Sequence, residues 1–219
     1  MNIAVVGASG NLGRRVVSQA VEREWQVRAI VRDARRAAAK VDSRAGLVEA
    51  DFFGVVPEQL AGVDALVSCF GSGLADPSLN EAACAKYIEL AREAGVRVVA
   101  VTGSGCLYTD AGRQRLVYEA HGYSKRLAPI SANAVRGLCL LDAAPDVDWC
   151  MVTPNLVFDV DGPLNEVDEV YLDCSRVVCR NEAGESYTTY EDLARTMLDI
   201  AETGGYSRKL VSVLSPGNA

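Results

Sequence analysis

The sequence contains few of the residues that build metal, triad or disulfide sites. Histidine occurs once, at His121, so a zinc site or a Ser–His–Asp triad would depend on a single residue. The seven cysteines are odd in number and form no C-x-x-C pair. Most of them stand in apolar runs, where a reduced thiol behaves as a small hydrophobic side chain. We therefore expect neither a metal site nor a disulfide framework.

Long apolar runs and basic clusters are also lacking. No segment approaches the ~20 apolar residues that span a bilayer, and Met1 begins a strand pattern rather than a signal peptide. The net charge is −7, and no lysine or arginine cluster is long enough to follow a nucleic-acid backbone. We expect a cytoplasmic protein with neither a membrane nor a nucleic acid as partner.

A glycine-rich segment follows the first apolar run, Ile3 to Val6. Its sequence is Gly7-Ala8-Ser9-Gly10-Asn11-Leu12-Gly13. In a G-x-x-G-x-x-G loop, the first glycine permits a tight turn, the second lets a pyrophosphate approach the backbone, and the third lets the next helix pack closely. The free N–H groups of that helix form an anion site. Because a strand precedes the loop and an amphipathic helix follows it, the pattern favours dinucleotide binding over a structural turn.

Strand and helix patterns alternate along the chain, with short connections. This alternation predicts an α/β fold of the Rossmann type, with a doubly wound parallel sheet. We expect one NAD(P)-binding domain over residues 1–219, with a nucleotide-binding core at 1–155 and a substrate-side annex at 156–219. The predicted strands lie at 3–6, 26–31, 46–50, 64–70, 96–101, 148–153 and 210–214. The predicted helices include 77–95, 131–144 and 190–203, and the annex has two further short strands, at 170–172 and 177–179.

Basic side chains follow the second predicted strand, where the adenosine ribose should lie. Arg32 comes first, and Arg35 and Arg36 support it. A guanidinium matches the charge and geometry of the 2′-phosphate of NADP, whereas a carboxylate would bind the ribose hydroxyls of NAD. The arginines favour NADP(H), while Asp33 leaves NAD(H) open as the weaker alternative.

Further candidate cofactor residues stand at the carboxyl ends of the other predicted strands, where ligands bind in open α/β sheets. Asp51 is expected either to accept from the adenine amine or to cap the next turn. Glycines at the later strand ends would permit close approach of the ribose and phosphate. These candidates are Asp51 and Phe52, Phe70 and Gly71, Thr102 and Gly103, and Pro154.

Three residues are candidates for the chemistry itself. Ser104 should face the nicotinamide, although a serine that satisfies turn backbone is equally consistent with the pattern. Asn155 could offer its amide at the cofactor edge, and Arg136 could offset the acidic net charge near an anionic substrate. The irregular stretch 107–130 could act as a lid or substrate wall.

The tyrosine–lysine pair of short-chain dehydrogenases is not evident. No tyrosine has a lysine four residues later, and Tyr123 has Lys125 at i+2, which is the wrong spacing for one helix face. Ala132 and Arg136 stand where the pair would be expected. Tyrosine acid catalysis is therefore not predicted.

The chain resembles the atypical short-chain dehydrogenases, in their NADH-flavin-reductase-like and biliverdin-reductase-B-like branch. The segments that carry the resemblance are the Gly7–Gly13 loop, Val31-Arg32-Asp33, Ala50-Asp51-Phe52, Trp149 to Pro154 and Tyr190-Glu191-Asp192. The resemblance implies an NAD(P)H-binding fold that often lacks the tyrosine–lysine pair and reduces flavins in some members. It also implies phosphate-loop, ribose-phosphate and substrate-side roles for the Gly7–Gly13 loop, Arg32 and Ser104. Some relatives have histidine where this chain has Asn155.

The function expected from these observations is an NAD(P)H-dependent reductase of a flavin-like or other conjugated small-molecule acceptor. A flavin can spread the charge of an added hydride over its ring, so positioning could suffice without an acid. The alternative is a non-catalytic, regulatory NADP(H) sensor. A sugar-nucleotide epimerase or dehydratase is less consistent, because those reactions also use the tyrosine–lysine pair. The sequence specifies neither the acceptor nor the oligomeric state.

Overall fold

The computed structural model describes residues 1–217 and confirms a Rossmann-type sheet. Eight strands form the main sheet in the order β3-β2-β1-β4-β5-β6-β10-β8. All neighbours are parallel except β8, which runs antiparallel to β10. The strands of this sheet are β1 (Asn2–Val6), β2 (Gln26–Val31), β3 (Gly46–Glu49), β4 (Ala65–Ser68), β5 (Arg97–Val101), β6 (Trp149–Pro154), β8 (Tyr171–Asp173) and β10 (Lys209–Leu214).

Helices cover both faces of the sheet and create two apolar cores. The helices are α1 (Asn11–Glu22), α2 (Ala34–Ala37), α3 (Leu79–Ala94), α4 (Ala128–Asp142) and α5 (Tyr190–Thr203). Side chains of α1 and α5 pack on one face of the sheet, and side chains of α3 and α4 pack on the other. Because parallel strands are covered on both faces, they read as continuous apolar runs. No helix among residues 1–217 is long and apolar enough to cross a membrane.

Most element boundaries agree with the sequence patterns within a few residues. Helix α5 coincides with the predicted range, and Gly95 closes α3 in a left-handed conformation with φ of 67°. Helix α3 begins at Leu79 rather than at Pro77. The reason is that the carboxylate of Asp76 accepts hydrogen bonds from the amide and hydroxyl of Ser78 and so closes a turn before the helix.

The chain after residue 155 contributes to the main sheet as well as to a small separate ladder. Strand β10 lies between β6 and β8, and α5 packs against α1. Strands β7 (Val157–Asp159) and β9 (Tyr187–Thr189) form a two-stranded parallel ladder, which the sequence patterns did not predict. The predicted strand at 177–179 is wrong, since Val177 makes only an isolated bridge to Tyr108. The division at residue 155 stays a prediction.

Candidate functional site

The loop between β1 and α1 has the backbone geometry that its glycines predict. Gly7 has a φ of 72°, and a Cβ there would lie 2.9 Å from the carbonyl oxygen of Cys69 at the end of β4. A Cβ at Gly13 would overlap the carbonyl oxygen of Gly7 and lie 2.8 Å from the Cα of Ala8. The Gly10 amide donates to the Gly7 carbonyl at 2.9 Å. Helix α1 therefore begins directly against the loop, at a distance that excludes side chains.

The start of α1 is suited to an anion. Gly10 is the N-cap, and within residues 1–217 no side chain caps this end of the helix and no acidic residue stands in its first turn. The first N–H groups of a 12-residue helix thus carry the positive end of its dipole without an internal counter-charge. Gly7, Ser9 and Gly10 of the loop line a cavity beside this helix end.

A cationic hollow of about 430 Å³ lies beside this loop at the carboxyl end of β2. Ser9, Arg32, Arg36 and Lys40 line it. The carboxylate of Asp33 also borders the hollow, but it accepts from the Arg36 amide at 2.9 Å as the N-cap of α2. Three cations and a hydroxyl match a phosphate. Lys40 was not among the predicted site residues, and it reaches the hollow through the turn that follows α2.

A larger cavity of about 460 Å³ extends from the glycine loop across the ends of β2, β3 and β4. Its wall includes an aromatic cluster in which the rings of Phe52, Phe53 and Phe70 lie with centroids 5.1–5.5 Å apart. Asp51 also lines the cavity, while its Oδ1 accepts from the Phe53 amide at 3.0 Å. The capping alternative for Asp51 is thus realised in its hydrogen bonding.

A second cavity, of about 220 Å³, adjoins the first at Phe70, Gly71 and Ser72, which line both. We call it the α3–α4 cavity, because it lies between those helices and the ends of β4 and β5. Thr102 and Gly103 line it, as does Ser131 on α4. The Ser131 hydroxyl is 2.9 Å from the Tyr123 hydroxyl. Ser131 was missed by the sequence analysis, since its position in the cavity depends on tertiary packing.

Ser104 lies one residue beyond this lining. It is half-buried and begins a short 3₁₀ turn, Ser104–Cys106. Its carbonyl oxygen accepts from the Leu107 amide at 3.0 Å. The structure therefore brings Thr102 and Gly103 to the α3–α4 cavity, with Ser104 next to them in sequence but outside the lining.

The geometry argues against direct contact between Asn155 and a ligand. Its side chain is fully buried, its Nδ2 donates to the Val213 carbonyl at 2.8 Å, and its Oδ1 accepts from the Cys179 amide at 3.0 Å. The amide thus ties β6 to β10 and to the segment before β9. These bonds give the side chain a structural role, and the catalytic role expected from the sequence stays a prediction. Pro154 ends β6 in a buried position opposite Val213 and lines neither cavity.

Arg136 is also separated from both cavities. Its Nε donates to the Glu81 carboxylate at 2.8 Å, and its Nη2 donates to the Asn133 side-chain oxygen at 2.6 Å. The guanidinium joins α4 to α3 on the exposed surface. A catalytic role is not supported by this placement, because the charge is already paired and neither cavity includes it.

Comparisons with known proteins agree with this geometry. Residues 7–204 match the model of the NAD(P)H-binding family. The uncharacterized protein YwnB of Bacillus subtilis (strain 168) is 28% identical over 217 residues, which cover 98% of this chain and 99% of that protein.

Solved structures give the same result. A candidate NADH-flavin reductase from Streptococcus pneumoniae TIGR4 has a TM-score of 0.86 at 27% identity, and the match covers 98% of this chain and 99% of that one. A protein from Lactobacillus casei shares the fold with a TM-score of 0.88 at 21% identity, over 99% and 100% of the two chains. The predicted resemblance to the atypical short-chain dehydrogenase branch is confirmed. With its glycine loop and the family match over most of its length, the chain belongs to the NAD(P)H-binding family.

Proposed function

We propose that this protein is an NADPH-dependent reductase that transfers hydride to a flavin-like or other conjugated small-molecule acceptor. The observation that carries the proposal is the arrangement of three adjoining spaces along one edge of the sheet. A cationic hollow lies at one end, the cavity above the glycine loop lies in the middle, and the uncharged α3–α4 cavity lies at the other end. Their order follows that of a dinucleotide and its reaction partner.

The residues present fit the cofactor. Gly13 lets α1 begin close against the loop, and within residues 1–217 no side chain caps the first N–H groups of this helix, which can therefore bind a pyrophosphate. The Phe52–Phe53–Phe70 cluster offers an apolar wall for the adenine, and Asp51 beside it keeps a second carboxylate oxygen for a polar contact. When bound, the dihydronicotinamide supplies the hydride, and the protein supplies orientation and exclusion of water.

The preference for NADPH rests on the cationic hollow. Three cations surround it, namely Arg32, Arg36 and Lys40. One carboxylate oxygen of Asp33 accepts the hydrogen bond that caps α2 and is therefore not used for a ribose hydroxyl. A guanidinium binds a phosphate in a bidentate manner, and charge-assisted hydrogen bonds are about twice as strong as neutral ones. We propose that these cations hold the 2′-phosphate.

The acceptor side needs only to position a conjugated ring. Thr102 and Gly103 bring the end of β5 to the α3–α4 cavity, and Ser104 follows them in a turn whose backbone is internally bonded. A conjugated acceptor delocalises the added charge, so a proton from a hydroxyl or from water completes the reduction. The name of the Streptococcus pneumoniae neighbour supports the choice of a flavin-like acceptor.

The test is an anaerobic reaction with NADPH deuterated on one or the other face of nicotinamide C4. Catalysed transfer is expected to remove the label from one isomer only, with riboflavin or a quinone as acceptor, because a fixed site presents one face. Equal loss of label from both isomers would mean that the acceptor is reduced without the protein. Tight NADPH binding with no oxidation would overturn the reductase proposal and favour the sensor.

A further inference from the structure

The α3–α4 cavity differs in size and in chemistry from the larger cavity above the glycine loop, which we call the nucleotide cavity. Its volume of about 220 Å³ lies below the roughly 300–1,000 Å³ of pockets that hold drug-sized ligands. The nucleotide cavity, at about 460 Å³, lies within that range. A single substituted ring matches the smaller space, whereas the three fused rings and ribityl chain of a flavin exceed it.

The lining of this cavity is uncharged. Ala83, Ala134, Ile130 and Met151 supply apolar surface, and, among residues 1–217, no aspartate, glutamate, lysine, arginine or histidine lines it. The two titratable groups in the lining stay neutral, because burial raises the pKa of Cys84 to about 12 and that of Tyr87 further still. An anionic ligand would find no counter-charge there. The cavity therefore fits a neutral ring.

One serine in the wall has close polar and backbone neighbours. Ser131 is buried, its hydroxyl is 2.9 Å from that of Tyr123, and a Cβ on Gly105 would overlap it. A serine hydroxyl has one hydrogen to donate and two lone pairs, so that of Ser131 can accept from Tyr123 and donate to a carbonyl oxygen in the cavity that Ser131 lines. Tyr123 acts here as a positioning residue.

The α3–α4 cavity also adjoins the nucleotide cavity, as hydride transfer between two bound ligands requires. Phe70, Gly71 and Ser72 line both spaces. Gly71 and Ser72 have no large side chain, so two ligands would meet across them. Hydride transfer needs the reacting atoms about 3–3.5 Å apart. A glycine at the junction permits such an approach, since nothing lies within 4 Å of a Cβ built at Gly71.

From these observations we infer that the α3–α4 cavity binds the acceptor, and that the acceptor is a neutral, single-ring quinone or enone rather than a flavin. This inference rests on the proposed function and narrows it. A para-quinone takes up one hydride from NADPH and one proton, which Ser131 donates and recovers from solvent through Tyr123. The products are the hydroquinone and NADP⁺, so atoms and electrons balance.

The probe is duroquinone, whose four methyl groups block addition of the exposed thiols of Cys139 and Cys174. Two quantities are measured: its equilibrium affinity for the NADP⁺-loaded protein, by calorimetry, and kcat/KM for its reduction by NADPH. Riboflavin is measured in parallel. For the wild-type protein we expect duroquinone to bind and to be reduced more efficiently than riboflavin.

Ala134→Leu fills the cavity from α4. We expect both the duroquinone affinity and kcat/KM to fall about tenfold or more, with the NADPH affinity unchanged. Cys139→Leu, on the exposed face of the same helix, is the matched control and should behave as wild type. Ser131→Ala adds no bulk and should lower the same two quantities. It therefore provides the test if Ala134→Leu fails to fold.

Two other outcomes are distinguishable. If the wild-type protein reduces acceptors, and folded Ala134→Leu and Ser131→Ala bind and reduce duroquinone as the wild type does, the cavity inference is wrong while the proposed function stands. If NADPH binds and neither acceptor is reduced, the proposed function fails, and the inference fails with it.

Discussion

Gly13 and Gly7 are in direct backbone contact across the loop that begins α1: a methyl group at position 13 would overlap the carbonyl oxygen of Gly7. The neighbours are backbone atoms, which cannot rotate away as a side chain would. This contact fixes the start of α1 against β1 and so determines where its N–H groups point. The position of the N–H groups that would bind the phosphate thus depends on residue 13 being glycine, which has no Cβ.

Substituting Gly13→Ala is expected to disrupt this loop. Overpacking should lower the free energy of unfolding by about 1–3 kcal/mol. The free energy of NADPH binding should fall by a larger fraction of its wild-type value. The matched control is Gly54→Ala, since a Cβ at Gly54 has nothing within 4 Å. Urea denaturation and fluorescence titration measure the two effects. Equal behaviour of the two variants would contradict the role of the contact.

Arg32→Ala is expected to reduce the affinity for NADPH and leave that for NADH unchanged. The lost charge-assisted hydrogen bonds are worth about 1.5–3 kcal/mol, or roughly 10- to 100-fold in Kd. Arg35→Ala is the control, because Arg35 stands three residues later, in α2, and does not line the cationic hollow. A parallel loss of both nucleotides in Arg32→Ala would show that Arg32 does not contact the 2′-phosphate.

Asn155→Ala is expected to lower stability rather than turnover. The variant leaves the Cys179 amide without its acceptor, at a cost of about 1–3 kcal/mol, whereas the Val213 carbonyl keeps the Thr188 hydroxyl as a donor. The urea midpoint should fall, while kcat per folded molecule stays near that of the wild type. A large loss of kcat with normal stability would restore the catalytic role predicted from sequence.

The buried thiols predict a loss of stability at alkaline pH. Burial raises the pKa of Cys150 to about 12, from an ordinary value of 9.0. The unfolded chain therefore releases this proton between pH 9 and pH 12 while the folded chain retains it, so stability is full below pH 9 and falls as the pH rises. At pH 10 this one thiol accounts for about 1.4 kcal/mol.

Cys150→Ala should reduce the difference in unfolding free energy between pH 8 and pH 10 by about that amount. Any cost of the smaller side chain is present at both pH values and cancels in the difference. Cys139→Ala, at an exposed thiol, should leave the difference unchanged. An identical pH dependence in both variants would exclude Cys150 as a source of the alkaline loss.

The sequence predicted those parts of the molecule that depend on local pattern. Continuous apolar runs indicate parallel strands, and the spacing of the glycines indicates the phosphate loop, because both are consequences of backbone geometry over a few residues. The α3–α4 cavity was not predictable. Two of its polar side chains, Asn80 and Ser131, are far apart in sequence and are brought together only by the packing of two helices.

The sequence also did not predict the direction in which side chains point. The position of Asn155 after β6 is the expected one, but the sequence does not tell whether its amide points to the cleft or into the protein. Asp192, in one of the segments that carried the family resemblance, is likewise buried. Its carboxylate accepts from the Asn165 amide at 2.9 Å and from the Ser215 hydroxyl at 2.6 Å. The Tyr190-Glu191-Asp192 segment is therefore typical of the fold because the Asp192 carboxylate makes structural hydrogen bonds.

The reductase proposal can be tested by titrating the wild-type protein with NADPH and, separately, with NADH, and then adding riboflavin or duroquinone to each mixture without oxygen. We expect NADPH to bind more tightly than NADH and to be oxidised at a rate proportional to the protein concentration. Failure of both nucleotides to bind would contradict the interpretation of the glycine loop. Binding without oxidation of NADPH would contradict the reductase.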